Sequence, residues 1–295
     1  MGIKFNLSQK LLIIIAAVLF ISGLGKYMYC RFNPLGALLF SIGNLTGSAG
    51  FEQDIQAYCR FGAECWDNGI IPVQIINDII ITANYKKVSD VSKTEFTLIS
   101  NDTQKALLNG ALYSDLNLAA LALNGKTLYS KQERQAASDF FNIFFDISEN
   151  LRPYLEYRPG IPVTINDYNR PAQMVMDNFL LIAEDEGSIK LLNAIIRFLD
   201  KNWPGISTYL KQIPTGSAKK IYAMFQMDDF MRLRGIHAEF HFNEAAAVID
   251  MNTTRISRDI YITPPDITNG LDINQIFEDE TDSLLKEFFD KIAGG

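Results

Sequence analysis

Ile236-His-Ala-Glu-Phe-His-Phe242 (IHAEFHF) alternates apolar and polar side chains without a break. A period of two fits a strand with one dry face and one wet face. Ile236, Ala238, Phe240 and Phe242 take the dry face; His237, Glu239 and His241 take the other. Downstream, Ala245–Met251 and Asp259–Thr263 have the same character and Pro264-Pro265 closes the run, so this end of the chain reads as a small antiparallel meander.

Working outward, the period lengthens. Apolar residues at 73, 76, 79, 80 and 83 follow Pro72 at helical spacing, although the isoleucine content keeps a strand open there. Glu95–Ser100 reads as a short strand. Asp102 then caps a short helix to Asn109-Gly110, and Asp115–Gly125 is a second helix closed by glycine. Ser130-Lys-Gln-Glu133 has the form of a capping box. The helix it opens carries Phe140, Phe141, Phe144, Phe145 and Ile147 on a face wide enough to be core. Helices are expected again at Pro171–Glu184 and, after Gly187-Ser188, at Ile189–Asn202. Asp272-Ile-Asn-Gln275 caps a last one bearing Ile276, Phe277, Leu284, Leu285, Phe288 and Ile292. The fold class expected is therefore α+β and predominantly helical, with an N-terminal hydrophobic helix, a helical body, a small C-terminal antiparallel meander and a terminal helix.

The expected organisation has five parts. Residues 1–31 are a signal or membrane-anchor segment, 32–51 a Gly-rich linker and 52–152 a helical N-terminal half. Residues 153–171, with Pro153, Pro159, Pro162 and Pro171, are a Pro/Tyr-rich connector, and 172–295 form the C-terminal half.

Leu11–Gly25 (LLIIIAAVLFISGLG) is uncharged between Lys10 and Lys26. As a cleaved export signal it has a basic start, an apolar centre, and Gly23 and Gly25 at −3 and −1 of a cut before Lys26. As a retained anchor it spans roughly 22 Å of helix against a hydrocarbon core of about 30 Å. Snorkelling Lys10 and Lys26, with Tyr27 and Tyr29 at the interface, would narrow that gap. A buried core helix is the third reading. Contact with membrane lipid through residues 11–25 is the expectation, with the body extracytoplasmic or, after cleavage near Gly25, secreted.

The chain has 295 residues, a net charge of −7, 48% hydrophobic and 21% charged residues. That suits a folded chain with a sizeable core. No basic cluster interleaved with aromatics appears, so nucleic acid is excluded as an expected partner. Cys59 and Cys65 are close enough for a small-loop disulfide in an oxidising compartment, with Cys30 standing apart.

Both histidines of the chain lie in His237-Ala-Glu239-Phe-His241. On a strand all three side chains share a face, with the imidazoles about 13 Å apart at ~3.3 Å per residue. One metal cannot comfortably hold both, but Glu239 and His241 could share one with ligands from elsewhere, which makes His237, Glu239 and His241 the metal candidates. A polar sheet face is the plainer account. Asn124-Gly125-Lys126-Thr127 is the tail of a phosphate-loop pattern without its first glycine. Gly216-Ser-Ala-Lys219-Lys220 reads as a helix start that could face an anion. Glu184-Asp-Glu186, Asp228-Asp229 and Glu278–Asp282 read as solvated charge, and Glu64-Cys-Trp66-Asp67 as packing. No G-x-S-x-G elbow is present, and no cofactor is called for.

The function expected is that of a membrane-targeted, non-enzymatic subunit or assembly factor of a multi-protein membrane-associated complex, whose partners are other protein subunits. Two alternatives stand beside it. One is an exported hydrolase or metalloenzyme using the His237/Glu239/His241 face; the other is an extracytoplasmic small-ligand-binding protein.

Overall fold

Two meanders meet edge to edge to make one sheet. The computed structural model describes residues 22–60, 79–100, 103–123, 126–131, 141–167, 170–202, 215–243 and 245–272. The first meander is β1 (Phe51–Arg60), β2 (Ile79–Val88), β3 (Val91–Ser100), β4 (Ala106–Ser114), β5 (Ala119–Leu123) and β6 (Lys126–Ser130). The second is β7 (Leu155–Asp167), β8 (Arg170–Glu184), β9 (Ala218–Met227), β10 (Leu233–Phe242) and β11 (Ala246–Ile256). β11 pairs with β1, so the order is β12-β6-β5-β4-β3-β2-β1-β11-β10-β9-β8-β7, with the short β12 (Leu271–Asp272) parallel to β6 and all other pairs antiparallel.

The expected predominantly helical fold is thus corrected to a β-sheet-dominated one. β2, β4, β5 and β8 stand where helices were expected, over Pro72–Lys87, Asp102–Gly110, Asp115–Gly125 and Pro171–Glu184. In β2 the deciding pattern is Thr82, Asn84 and Lys86 alternating with Ile81, Ala83 and Tyr85, a period of two that the wider helical spacing masked. In β4 and β5 the Ala- and Leu-rich sequence favours helix locally, and pairing with neighbouring strands overrides that preference. β7 replaces the Pro/Tyr-rich connector. As the outermost strand of the sheet it has an unpaired edge where Pro159 and Pro162 are tolerated, and a bulge with Gly160 at φ 65 sits between Arg158 and Ile161. Residues 34–46, expected as linker, form a helix. Conversely, Asp259–Thr263 forms no strand. β3, β10 and β11 form where strands were expected, and the helix expected over Ile189–Asn202 runs from Glu186.

The helices all serve one face of the sheet. α1 (Pro34–Thr46) starts with Pro34 at its first position, and the Asn33 side chain accepts from the Gly36 amide at 3.0 Å. A Cβ on Gly36 would collide with that capping side chain, so glycine here keeps the cap in place. α1 buries Leu38, Ile42 and Leu45 against the sheet, while α4 (Glu186–Asn202) buries Leu191 and Phe198. Between β6 and β7, α2 (Asn142–Asp146) and α3 (Ser148–Leu151) add Ile143 and Leu151. Phe141 meets Phe51 edge-on at 6.1 Å and Phe144 meets Phe225 at 5.4 Å, so part of the expected aromatic face is core.

No helix among the described residues is long and apolar enough to cross a membrane. That corrects the transmembrane-helix expectation for the described chain. Residues 22–32 are helical and lie against the sheet, with Lys26 Nζ 2.7 Å from Asp177 and the Tyr27 ring edge-on to Tyr157 at 6.0 Å. Residues 11–21 of the apolar run lie outside the described residues. So do Cys65 of the expected disulfide, the Glu64/Trp66/Asp67 group and the expected terminal helix.

Candidate functional site

The face of the sheet turned away from the helices carries the chemistry, because strand alternation sends every second side chain there. Register makes it continuous. Asn252, Asp54, Asn84 and Glu95 stand directly opposite one another across β11, β1, β2 and β3. The next rung on the same face is His237, Asp250, Gln56, Thr82, Thr97 and Asn109, from β10 to β4. Apart from His237, the residues of these two polar rungs line a groove of about 770 Å³. Its floor is backbone at Ile55, Ala83, Phe96 and Gly110, and the small side chains of Ala111 and Ala122 leave room at its β4–β5 end. The Phe96 ring lies on the opposite face against Gly110, where a Cβ would clash with it, so the floor is thin and closely packed there.

The carboxylates of the groove are already engaged. Asp54 accepts from Asn84 Nδ2 at 2.8 Å, and the same amide nitrogen donates to Glu52 at 2.9 Å. Lys93 Nζ lies 2.6 Å from Glu95, and its hydrogen bond holds that carboxyl below its ordinary range despite partial burial. Asp250 lies 2.7 Å from His237 Nδ1. Thr97 Oγ1 donates to Asn109 Oδ1 at 2.9 Å. By contrast, Gln56, Thr82 and Asn252 make no side-chain hydrogen bond among the described residues. Two amides and a hydroxyl are therefore what the groove offers to an incoming molecule, framed by acids that each already hold a hydrogen-bond or ion-pair partner.

His237, Glu239 and His241 do come together, joined through the Glu239 carboxylate. His237 Nε2 lies 2.9 Å from Glu239 Oε1, and His241 Nε2 lies 2.8 Å from Glu239 Oε2. With Asp250 on His237 Nδ1 this forms a chain Asp250–His237–Glu239–His241 at the border of the groove. Partial burial works against a charged His237, but hydrogen bonds to Glu239 and Asp250 outweigh it and raise the pKa above its ordinary value. Hydrogen bonds from His237 and then His241 lower that of Glu239. Both ring nitrogens of His237 thus face carboxylates, and no lone pair of that ring is directed at open space. Among the described residues no three His, Cys, Asp or Glu side chains are grouped to hold a metal ion.

Asp250 was not singled out from sequence. Its signal was the hairpin itself: with the Phe242 amide bonded to the Ala245 carbonyl, counting back along both strands sets His237 opposite Asp250. The groove residues of β1–β4 were invisible in the sequence because they become neighbours only through register. Of the other motifs, Lys126–Ser130 is strand β6, so no helix N-terminus follows Gly125. Thr215–Ser217 is a single 3-10 turn leading into β9, not a helix start.

No protein-family model matches the chain, and no curated protein does. Among solved structures it is similar to the Mycobacterium tuberculosis lipoprotein LppX, with 10% identity, a TM-score of 0.37, and coverage of 76% of this chain and 100% of that one. A DUF1329 family protein from Desulfovibrio piger gives 8% identity and a TM-score of 0.27, covering 76% of this chain and 92% of that one. Nothing about this chain's ligand or partners follows from either.

Proposed function

We propose that the protein is an extracytoplasmic, membrane-associated binding protein that works by contact and not by catalysis, and that the groove across β11–β4 is its ligand site. The observation that carries this reading is the pairing pattern inside the groove. Its acids are hydrogen-bonded or ion-paired to Asn84, Lys93 and His237, while among the described residues Gln56, Thr82 and Asn252 make no side-chain hydrogen bond. A cationic ligand would have to compete with those partners. A neutral molecule with several hydroxyl groups would not, since amides and hydroxyls donate and accept to it directly. The ligand class is therefore an uncharged polyhydroxylated molecule of saccharide type.

The uncharged run ahead of Ser22 supports delivery to a lipid boundary. Membership of a multi-protein membrane complex is a second reading, favoured by the amount of apolar surface left exposed on the N-terminal helices.

Titration calorimetry of the full chain against neutral oligosaccharides and against spermidine tests the first reading. Heat of binding is expected with an oligosaccharide, and weaker binding by about tenfold in Gln56→Ala and in Asn252→Ala, each loss being that of about one hydrogen bond. Binding of spermidine alone overturns the ligand class. Absence of binding by either overturns the site.

A further inference from the structure

Seven of the eleven exposed large hydrophobics among the described residues lie toward one rim, the other four being Leu112, Leu116, Phe145 and Ile182. Leu24, Met28, Tyr29, Phe32 and Phe40 lie on the N-terminal helices, and the three most exposed large hydrophobics among the described residues are Tyr261 at 80%, Phe32 at 75% and Phe230 at 75%. The topology sets these at the same end of the sheet. The β9–β10 turn carries Phe230. Tyr261 lies just past the end of β11, where the Ser257 amide bonds to the Gly50 carbonyl. The helical stretch 22–32 and α1 are tied to that turn, Lys26 Nζ reaching the Asp228 carbonyl at 3.4 Å and Asn44 Nδ2 the Met231 carbonyl at 2.9 Å. Lys26 points into the body, so Leu24 and Met28, each about 200° around the helix from it, point out.

The turn under Phe230 is unusually well braced. Asp228, 1% exposed, accepts from the amides of Phe230 and Arg232 at 2.9 and 3.0 Å through Oδ1, and Arg232 and Arg234 both bind its Oδ2. Met231 completes the turn at φ 53, and the Arg232 guanidinium lies 4.9 Å from the Phe230 ring centre. A fixed pedestal thus holds a phenyl ring out into solvent.

We propose that this rim, led by Phe32 and Phe230, is a membrane-contact surface that seats its aromatic rings in the headgroup layer of a bilayer. What covers it follows from the chain just ahead: residues 11–21 (LLIIIAAVLFI) hold no polar side chain and run directly into the helix that bears Leu24, Met28 and Phe32. Phenylalanine, tyrosine and methionine beside such a run are the composition of an interfacial surface. The groove, on a different part of the molecule, would then face away from or along the membrane with its opening free. This inference rests on the membrane association proposed above and adds the face and the residues that make contact.

The test is photo-crosslinking of the full, unmodified chain on phosphatidylcholine vesicles containing a diazirine-bearing lipid, with flotation measured in the same samples. Peptides covering 24–40 and 228–232 are expected to carry the lipid adduct. Phe230→Trp in a Trp66→Phe/Trp203→Phe background is a second reporter, expected to lose fluorescence with brominated lipid, whereas a Tyr222→Trp reporter in the same background keeps it. Flotation without adducts or quenching at this rim overturns the inference and leaves membrane association standing. Failure to float removes both. Adducts confined to the strands of the groove also overturn it.

Discussion

His237 shows how single residues are tuned in this protein. Protonated, it donates to Asp250 and Glu239 together, so its native pKa lies above the ordinary value near 6.5. A group raised in the folded state contributes stability that is complete below its unfolded pKa and is lost as pH rises through the folded one. Glu239, lowered in the folded state, contributes above its unfolded value and loses that contribution as pH falls through the folded value. Stability from this chain of groups is therefore expected to peak between the two. NMR titration of the His237 ring is expected to give a midpoint above 6.5, moving down in Asp250→Asn; a midpoint at or below 6.5 in the native protein contradicts the arrangement. Cys30 is the opposite case. Burial, then the nearby Asp177 carboxylate, push its thiol up to about 11, so it is expected to react with iodoacetamide far more slowly at pH 8 than after unfolding, as read by mass spectrometry. Gln53 sits 1% exposed with Nε2 donating to Thr253 at 3.1 Å and Oε1 without a partner among the described residues. Because Thr253 also reaches the Leu233 carbonyl, Gln53→Met removes the orphan acceptor and is expected to change stability by less than about 1 kcal/mol in urea unfolding.

At the level of elements, the braced turn and the thin floor of the groove make separate demands. Asp228→Ala removes five hydrogen bonds from a buried carboxylate and leaves two arginines without their partner. It is expected to cost about 3 kcal/mol in urea unfolding, a range set by broken buried pairs. Gly110→Ala forces the Phe96 ring and Leu123 from their places and is expected to cost about 1–3 kcal/mol. Gly235→Ala meets only the free end of Gln226 at 2.6 Å, so the side chain swings aside and the cost is smaller. The elements that the sequence misstated are those whose fate is decided by partners. AALAL of β5 has no β-branched residue and ALLNGALYS of β4 has none, so nothing local marks them as strands; β3 and β6 on either side do. IHAEFHF needed no such help, since its alternation matches a sheet with one dry face. α1 was obscured by its glycines, yet Asn33-Pro34 is a cap followed by a first-turn proline and was readable as a start.

For the whole molecule, the topology divides the labour. Helices and apolar side chains occupy one face of the sheet, the polar groove occupies the other, and most of the exposed aromatics among the described residues collect at one rim. The division was only partly legible beforehand. The His237/Glu239/His241 face is legible as one face of a strand, but its neighbours Asp250, Gln56 and Thr82 lie up to 181 residues from His237 along the chain and are brought in by cross-strand register alone. The central claim is that this shared face binds a neutral, hydroxyl-rich ligand without altering it. The most direct measurement is NMR of the full chain, following the side-chain amide signals of Gln56 and Asn252 as a neutral oligosaccharide is added. Saturable shifts of both signals, with the sugar recovered chemically unchanged, are the result expected; signals that stay fixed, or a sugar that is cleaved, would contradict it.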